Sequence, residues 1–158
     1  MLAVVIVTWN VRDLALDALR SLYADLDASG LRAEVYVVDS ASSDGTPAAV
    51  AAAFPQVKLT ASAENLGFGR ANNLAIRQIM EAAEQPQAIY LLNPDTITQP
   101  GATRALYDAL LAEPRVGLVG ARLSYGDGSF QHGAFGFPAC CSFGSICSGD
   151  RGGFSKAG

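Results

Sequence analysis

Residues Leu2 to Val7 are apolar without interruption, and the chain turns polar abruptly at Thr8-Trp9-Asn10. Such a run, rich in β-branched side chains, offers no face to water, so it reads as a strand buried on both faces, as inside a parallel sheet. Glu34 to Val38, Val57 to Thr60 and Ala88 to Leu92 read as further strands. Between them the apolar period changes to that of a helix. Leu14, Ala18, Leu19, Leu22 and Tyr23 share one helical face, and Ala48–Ala53, Ala71–Ala83 and Gly101–Ala112 are the other helical stretches. Asn10 with Asp13 is the expected capping pair of the first helix, and Thr46-Pro47 the N-cap and first residue of the second. Pro100 and Pro114 bracket the last helix. Val116–Val119 and Arg122–Tyr125 are short strand candidates, with a hairpin turn at Asp127-Gly128 before Ser129–Gln131. Strands alternating with helices predict an α/β domain with a mostly parallel sheet and right-handed crossovers.

A chain of 158 residues, half of them hydrophobic, suits one domain with an ample core. Its net charge of -4 argues against a nucleic-acid binder, which needs a basic face. No apolar run approaches the roughly 20 residues that span a bilayer, and no basic leader or cleavage site marks a signal peptide. A cytoplasmic location is expected, with contact at the inner face of the membrane left open. The three cysteines, Cys140, Cys141 and Cys147, sit in no metal-binding spacing and read as reduced thiols without an assigned role. A zinc site joining them to His132 matches no structural zinc pattern. The expected organisation is a folded domain over residues 1–138 and an unpatterned tail over 139–158, disordered or truncated.

Ligands of open α/β sheets bind beyond the carboxyl ends of the strands. Four polar segments follow strands here: Thr8-Trp9-Asn10, Asp39 with the loop Ser40 to Thr46, Asn65 to Asn73, and Asn93-Pro94-Asp95-Thr96. Asp95 is placed to bind a hard divalent cation together with phosphate oxygens. The same Asn-Pro-Asp residues also make an ordinary turn, and Asp44 or Thr46 also reads as a helix cap. Asp39 ends a buried strand, so its carboxylate needs a partner. Trp9 reads equally as a stacking platform or as filler at the top of the core. Gly67-Phe68-Gly69-Arg70-Ala71-Asn72 fails the dinucleotide fingerprint at its third glycine and follows the wrong strand. Neither a P-loop nor a GxSxG elbow occurs.

In combination, Val4-Val5-Ile6-Val7-Thr8-Trp9-Asn10, Val37 to Thr46, Asn65 to Asn73 and Leu91 to Thr96 resemble the family 2 glycosyltransferases, in particular their bacterial rhamnosyltransferase-like branch. Val116 to Gly120 and Asp127 to Gln131 are also similar to that branch. The resemblance implies a GT-A fold, a Rossmann-like three-layer α/β/α sandwich. It also implies a nucleoside-diphosphate sugar donor (dTDP-rhamnose or a UDP-sugar), a divalent metal (Mg or Mn), and inverting transfer to a polysaccharide, lipid-linked or other cell-envelope acceptor. On that basis Thr8, Trp9, Asn10 and Asp39 hold the base and Asp44 supports their loop. Asn65, Gly67, Arg70 and Asn73 flank the base and diphosphate, with Arg70 a phosphate contact. Asn93-Pro94-Asp95 stands in the place of the DXD motif, with Asp95 the metal ligand and Asn93 a partner of the ribose.

The family's general base is an acidic residue well downstream of that motif. After Asp95 this chain offers only Asp108, Glu113, Asp127 and Asp150, none of which reads as the base. The expectation is therefore a donor-binding half that binds nucleotide and transfers sugar poorly or not at all. A nucleotide-sugar-binding fragment without catalytic competence is the alternative function. A sugar nucleotidyltransferase shares the sheet architecture, but Thr8-Trp9-Asn10 lacks the glycine- and basic-rich loop such enzymes carry.

Overall fold

The polar segments converge because every strand of the main sheet runs the same way. The computed structural model describes residues 1–131; His132, the cysteines and the 139–158 segment lie outside the described residues. The chain divides into two units, Met1–Tyr107 and Asp108–Gly158. The first contains β1 (Leu2–Thr8), α1 (Arg12–Ser29), β2 (Ala33–Ser40), α2 (Thr46–Ala53), β3 (Lys58–Ser62), α3 (Gly67–Glu81), β4 (Ala88–Leu92) and the start of α4 (Ala102–Ala112).

The four strands form one parallel sheet in the order β3-β2-β1-β4. The chain steps outward from β1 to β3, then returns across β1 to lay down β4. With right-handed crossovers, that reversal moves the connecting helix to the other face of the sheet. The core shows the result. Val4, Ile6, Val35 and Val37 pack with Leu19, Leu22 and Leu26 of α1 and Val50 of α2. On the opposite face Ala3, Val5, Tyr36 and Val38 meet Ala71, Ala75 and Ile79 of α3. The result is the expected three-layer α/β/α arrangement, in which each fully buried aliphatic side chain contributes roughly 1.5–3 kcal/mol.

Element boundaries shift where the cap differs from the one expected. α1 begins at Arg12 with Val11 as N-cap and no side-chain cap bond of its own, so the Asn10 and Asp13 pair does not form. Its end agrees with the glycine signal, Gly30 adopting the left-handed conformation at φ 63°. In α2 the N-cap is Gly45, which places Thr46 and Pro47 one position further into the helix than expected. α3 starts at Gly67, four residues before Ala71, and the Asn65 Oδ1 accepts the Gly67 N–H at 2.8 Å in a turn just ahead of the helix.

In the second unit, the remainder of α4 is followed by an antiparallel pair, β5 (Leu123–Ser124) and β6 (Phe130–Gln131). Its turn is the one expected at Asp127-Gly128, with Asp127 Oδ1 accepting from the Ser129 N–H and hydroxyl. Val116–Val119 forms no strand. A short apolar run becomes a strand only where a ladder partner meets it, and none of the described residues does.

Candidate functional site

Direction reversal between β1 and β4 makes a topological switch point, where the loops after the two strands part and leave a crevice. Thr8 pairs with Asp39 in the register, whereas Leu92 pairs with Ile6. Asn93-Pro94-Asp95 thus leaves the sheet two residues before β1 ends.

The loops after β1 and β2 are joined by side chains. The Asp39 carboxylate is buried; Oδ1 accepts from the Thr8 hydroxyl at 2.8 Å and the Ser42 hydroxyl at 2.6 Å, and Oδ2 accepts the Ser42 N–H at 2.8 Å. The partner that a carboxylate at the end of a buried strand requires is therefore a set of three donors. Asn10 donates its N–H to the Ser42 hydroxyl and takes the Ser43 N–H on its side-chain oxygen, both at 2.8 Å. Asn10 and Ala41 are the only non-glycine residues with positive φ among the described residues, at 51° and 61°. For alanine that conformation costs about 1–2 kcal/mol, and such strain collects where surrounding bonds over-determine a functional surface.

Asp44 completes the junction. Its Oδ2 accepts the Arg12 N–H at 3.0 Å and its Oδ1 the Thr46 N–H at 2.9 Å, so one carboxylate caps both α1 and α2. This shared cap explains why α1 needs no cap from Asn10. The Thr46 hydroxyl, and then the two backbone N–H groups, hold the Asp44 carboxyl below its ordinary pKa. The folded chain thus releases this proton more readily than the unfolded one. Its contribution is complete at neutral pH and lost as the pH falls through the acid range. Asp44→Ala is expected to lower the melting temperature at pH 7, and the gap to the parent protein should narrow on acidification from about pH 5 to pH 3. Calorimetric melts at those pH values check this; a gap that stays constant contradicts it.

Of the residues expected to meet a base, Thr8 is fully buried and acts on Asp39. Trp9 is 56% exposed, which removes its reading as core filler. Asn10 is exposed as well. On the α3 side Asn65, Gly67, Arg70 and Asn73 are all exposed, and it is the neighbouring Asn72 that is buried, donating to the Phe68 carbonyl at 2.9 Å. Arg70 folds back: its guanidinium donates to the carbonyls of Leu66 at 2.9 Å and Asn65 at 3.3 Å, leaving its other N–H donors for a ligand.

Asn93 and Asp95 are exposed, and the Thr96 hydroxyl donates to the Asn93 carbonyl at 2.8 Å to close the turn. The structure therefore contains the ordinary turn, with Asp95 displayed on it. No hydrogen bond or ion pair among the described residues engages the Asp95 carboxylate. No group of three or more His, Cys, Asp or Glu side chains gathers among the described residues. An all-protein cage is thus missing there, whereas one free carboxylate sharing a small hard cation with ligand phosphates and water fits Mg²⁺ or Mn²⁺.

The model of glycosyl transferase family 2 matches residues 3–136. The chain belongs to that family. The N-acetylglucosaminyl-diphospho-decaprenol L-rhamnosyltransferase of two strains of Mycobacterium tuberculosis is 36% identical over an alignment of 111 residues that covers 66% of this chain and 36% of the relative. The chain thus spans just over a third of the length of the curated relatives it matches. Among solved structures, the mannosyltransferase PcManGT of Pyrobaculum calidifontis, in complex with GDP-Man and Mn²⁺, is 29% identical with a TM-score of 0.57, over 72% of this chain and 32% of that one. S. aureus TarS 1-349, in complex with UDP-GlcNAc, gives 22% identity and a TM-score of 0.54 over 70% of this chain and 32% of its own, a likeness of fold. The family 2 chain described here accordingly has the GT-A fold. No helix among its described residues is long and apolar enough to cross a membrane.

Proposed function

We propose that this family 2 chain binds a nucleoside-diphosphate sugar across the carboxyl edge of β2, β1 and β4 and serves an inverting transfer of the sugar to a glycan or lipid-linked acceptor of the cell envelope. The observation that carries the reading is the pairing, at one switch point, of a hydrogen-bonded base-side network around Asp39 with a carboxylate at Asp95 that no described residue engages. Trp9 offers an aromatic face for the base and Asn10 its remaining polar capacity. Asp39 Oδ2 accepts a single bond and keeps a lone pair for a base N–H. The exposed start of α3 brings backbone N–H groups, Asn65, Asn73 and the spare donors of Arg70 toward phosphate oxygens. Asn93 stands where a ribose hydroxyl would need a partner.

Asp95 would hold Mg²⁺ or Mn²⁺, and the metal when bound neutralises charge that develops on the departing diphosphate. The likeness to an L-rhamnosyltransferase supports rhamnose as the sugar; dTDP-rhamnose is the first donor to test by resemblance to that branch, with UDP-sugars next. A second reading, nucleotide-sugar binding without transfer, rests on the described carboxylates after Asp95; Asp150 lies outside the described residues. Asp108 belongs to α4, Glu113 follows it, and Asp127 is held in its turn, where the Ser129 hydroxyl and N–H push its pKa down and weaken it as a base.

Calorimetric titration with dTDP, UDP and GDP, each with and without Mn²⁺, separates these claims from chance binding. Mn²⁺ is expected to tighten dTDP or UDP binding by about tenfold, the effect of one charge-assisted contact, and Asp95→Ala should erase that gain alone. Binding that ignores both metal and Asp95→Ala contradicts the assignment. Measurable turnover of dTDP-rhamnose by the 158-residue chain would eliminate the second reading.

A further inference from the structure

Downstream of Asp95 the chain is gripped by two consecutive turns of α1. The Thr98 N–H donates to the Ser21 hydroxyl oxygen at 3.0 Å, and that hydroxyl donates to the Ala18 carbonyl at 3.0 Å. Four residues on, Asp25 is 3% exposed and accepts the Thr103 N–H at 2.9 Å on one oxygen and the Gly101 N–H on the other. Gly101 has φ 81°, a conformation that costs glycine nothing and lets one carboxylate reach both amides. Asp25 also lies near β4, where its charge adds to burial, the larger cause, in raising the Tyr90 phenol pKa.

Upstream, Leu92 is fixed by its pairing with Ile6. Residues 93–97 therefore form a short loop tied at both ends, with Asp95 at its centre and the Thr96 bond to the Asn93 carbonyl inside it. The Asp25 bonds alone would be a remote helix cap for α4. The Ser21 bond is not part of any cap, because Thr98 precedes the first residue of α4, Ala102, by four positions.

We propose that Ser21 and Asp25 are positioning residues that set where Asp95 stands relative to the nucleotide. The inference rests on the reading of Asp95 as the metal ligand. A carboxylate that supplies the single direct contact to a shared cation among the described residues is sensitive to sub-ångström placement. Holding its loop from a rigid helix on the other side achieves that without any added ligand.

The test uses the full chain, calorimetric titration with dTDP in the presence and absence of Mn²⁺, and backbone ¹⁵N relaxation. Ser21→Ala is expected to reduce the Mn²⁺-dependent affinity by about three- to tenfold, the range of one lost hydrogen bond. Metal-free dTDP affinity should stay unchanged, order parameters at Asp95 to Ile97 should fall, and Ser21→Thr, which keeps the hydroxyl, should restore both. Val50→Ala, which loosens the core through α2 and leaves the grip intact, should leave the Mn²⁺ dependence as it was. Unchanged Mn²⁺-dependent affinity in Ser21→Ala, with Asp95→Ala still losing it, overturns the positioning role alone. Silence of Asp95→Ala overturns the metal reading and this inference together, and unaltered order parameters in Ser21→Ala overturn it without reference to metal.

Discussion

Asp39→Ala is expected to abolish nucleotide binding at millimolar ligand and to lower folding stability by about 2–4 kcal/mol, the cost of orphaning buried donors. The carboxylate has three donors to satisfy, two hydroxyls and one N–H, and alanine satisfies none of them. Thr8 is fully buried, so no water replaces its lost partner. The Ser42 hydroxyl is also the acceptor for the Asn10 N–H, which carries the disturbance to the outward face of the site. Asn is only a partial remedy: its oxygen can serve Thr8 and the Ser42 hydroxyl, but its amide nitrogen then confronts the Ser42 N–H. Urea unfolding and dTDP calorimetry on Asp39→Ala, Asp39→Asn and Thr8→Val check this. Thr8→Val should retain measurable binding; a fully stable, binding-competent Asp39→Ala would remove Asp39 from the site.

The second large effect is expected at Asp25→Ala, again about 2–4 kcal/mol, since a buried acceptor of two backbone N–H groups at a helix start is lost. For a domain of this size that is a fall of about 10 °C in melting temperature. Ser21→Ala removes one neutral bond and should cost less, about 1 kcal/mol. Differential scanning calorimetry of the two variants gives the comparison, and equal melting temperatures would contradict the ranking.

The fold was legible because its determinants are local. An unbroken apolar run means a two-sided strand, and Gly30, Pro47 and Pro100 punctuate helices by fixed backbone rules. That the polar segments after the strands gather at one sheet edge followed from strand direction alone. What could not be read were contacts between distant parts of the chain. Asp44 as a shared cap, Thr8 as a buried orienter of Asp39, and the α1 grip on Thr98 to Thr103 join residues with no common period or motif. Trp9 was ambiguous for a related reason: an aromatic residue at a strand end is core or surface according to what packs over it. Ser21 and Asp25 left one trace. A Ser and an Asp on the apolar side of an otherwise amphipathic helix are polar groups that must find partners.

The spacing of these long-range bonds also bears on the order of assembly. The network around Asp39 and Asp44 ties α1 and β1 to residues 31 to 33 positions away, whereas Asp25 meets Gly101 and Thr103 across 76 and 78. Closing the longer loop costs the unfolded chain about 0.8 kcal/mol more. The β1-α1-β2 unit therefore has the kinetic head start, and the proposed nucleotide wall should form in the folding transition state while α4 docks afterwards. Φ-values would then be high for Thr8→Val and near zero for Asp25→Ala, and the reverse order would show that α4 nucleates the chain. On this account the base-side wall is an early, stable unit, and the Asp95 loop is the last part of the site to set and the first to open.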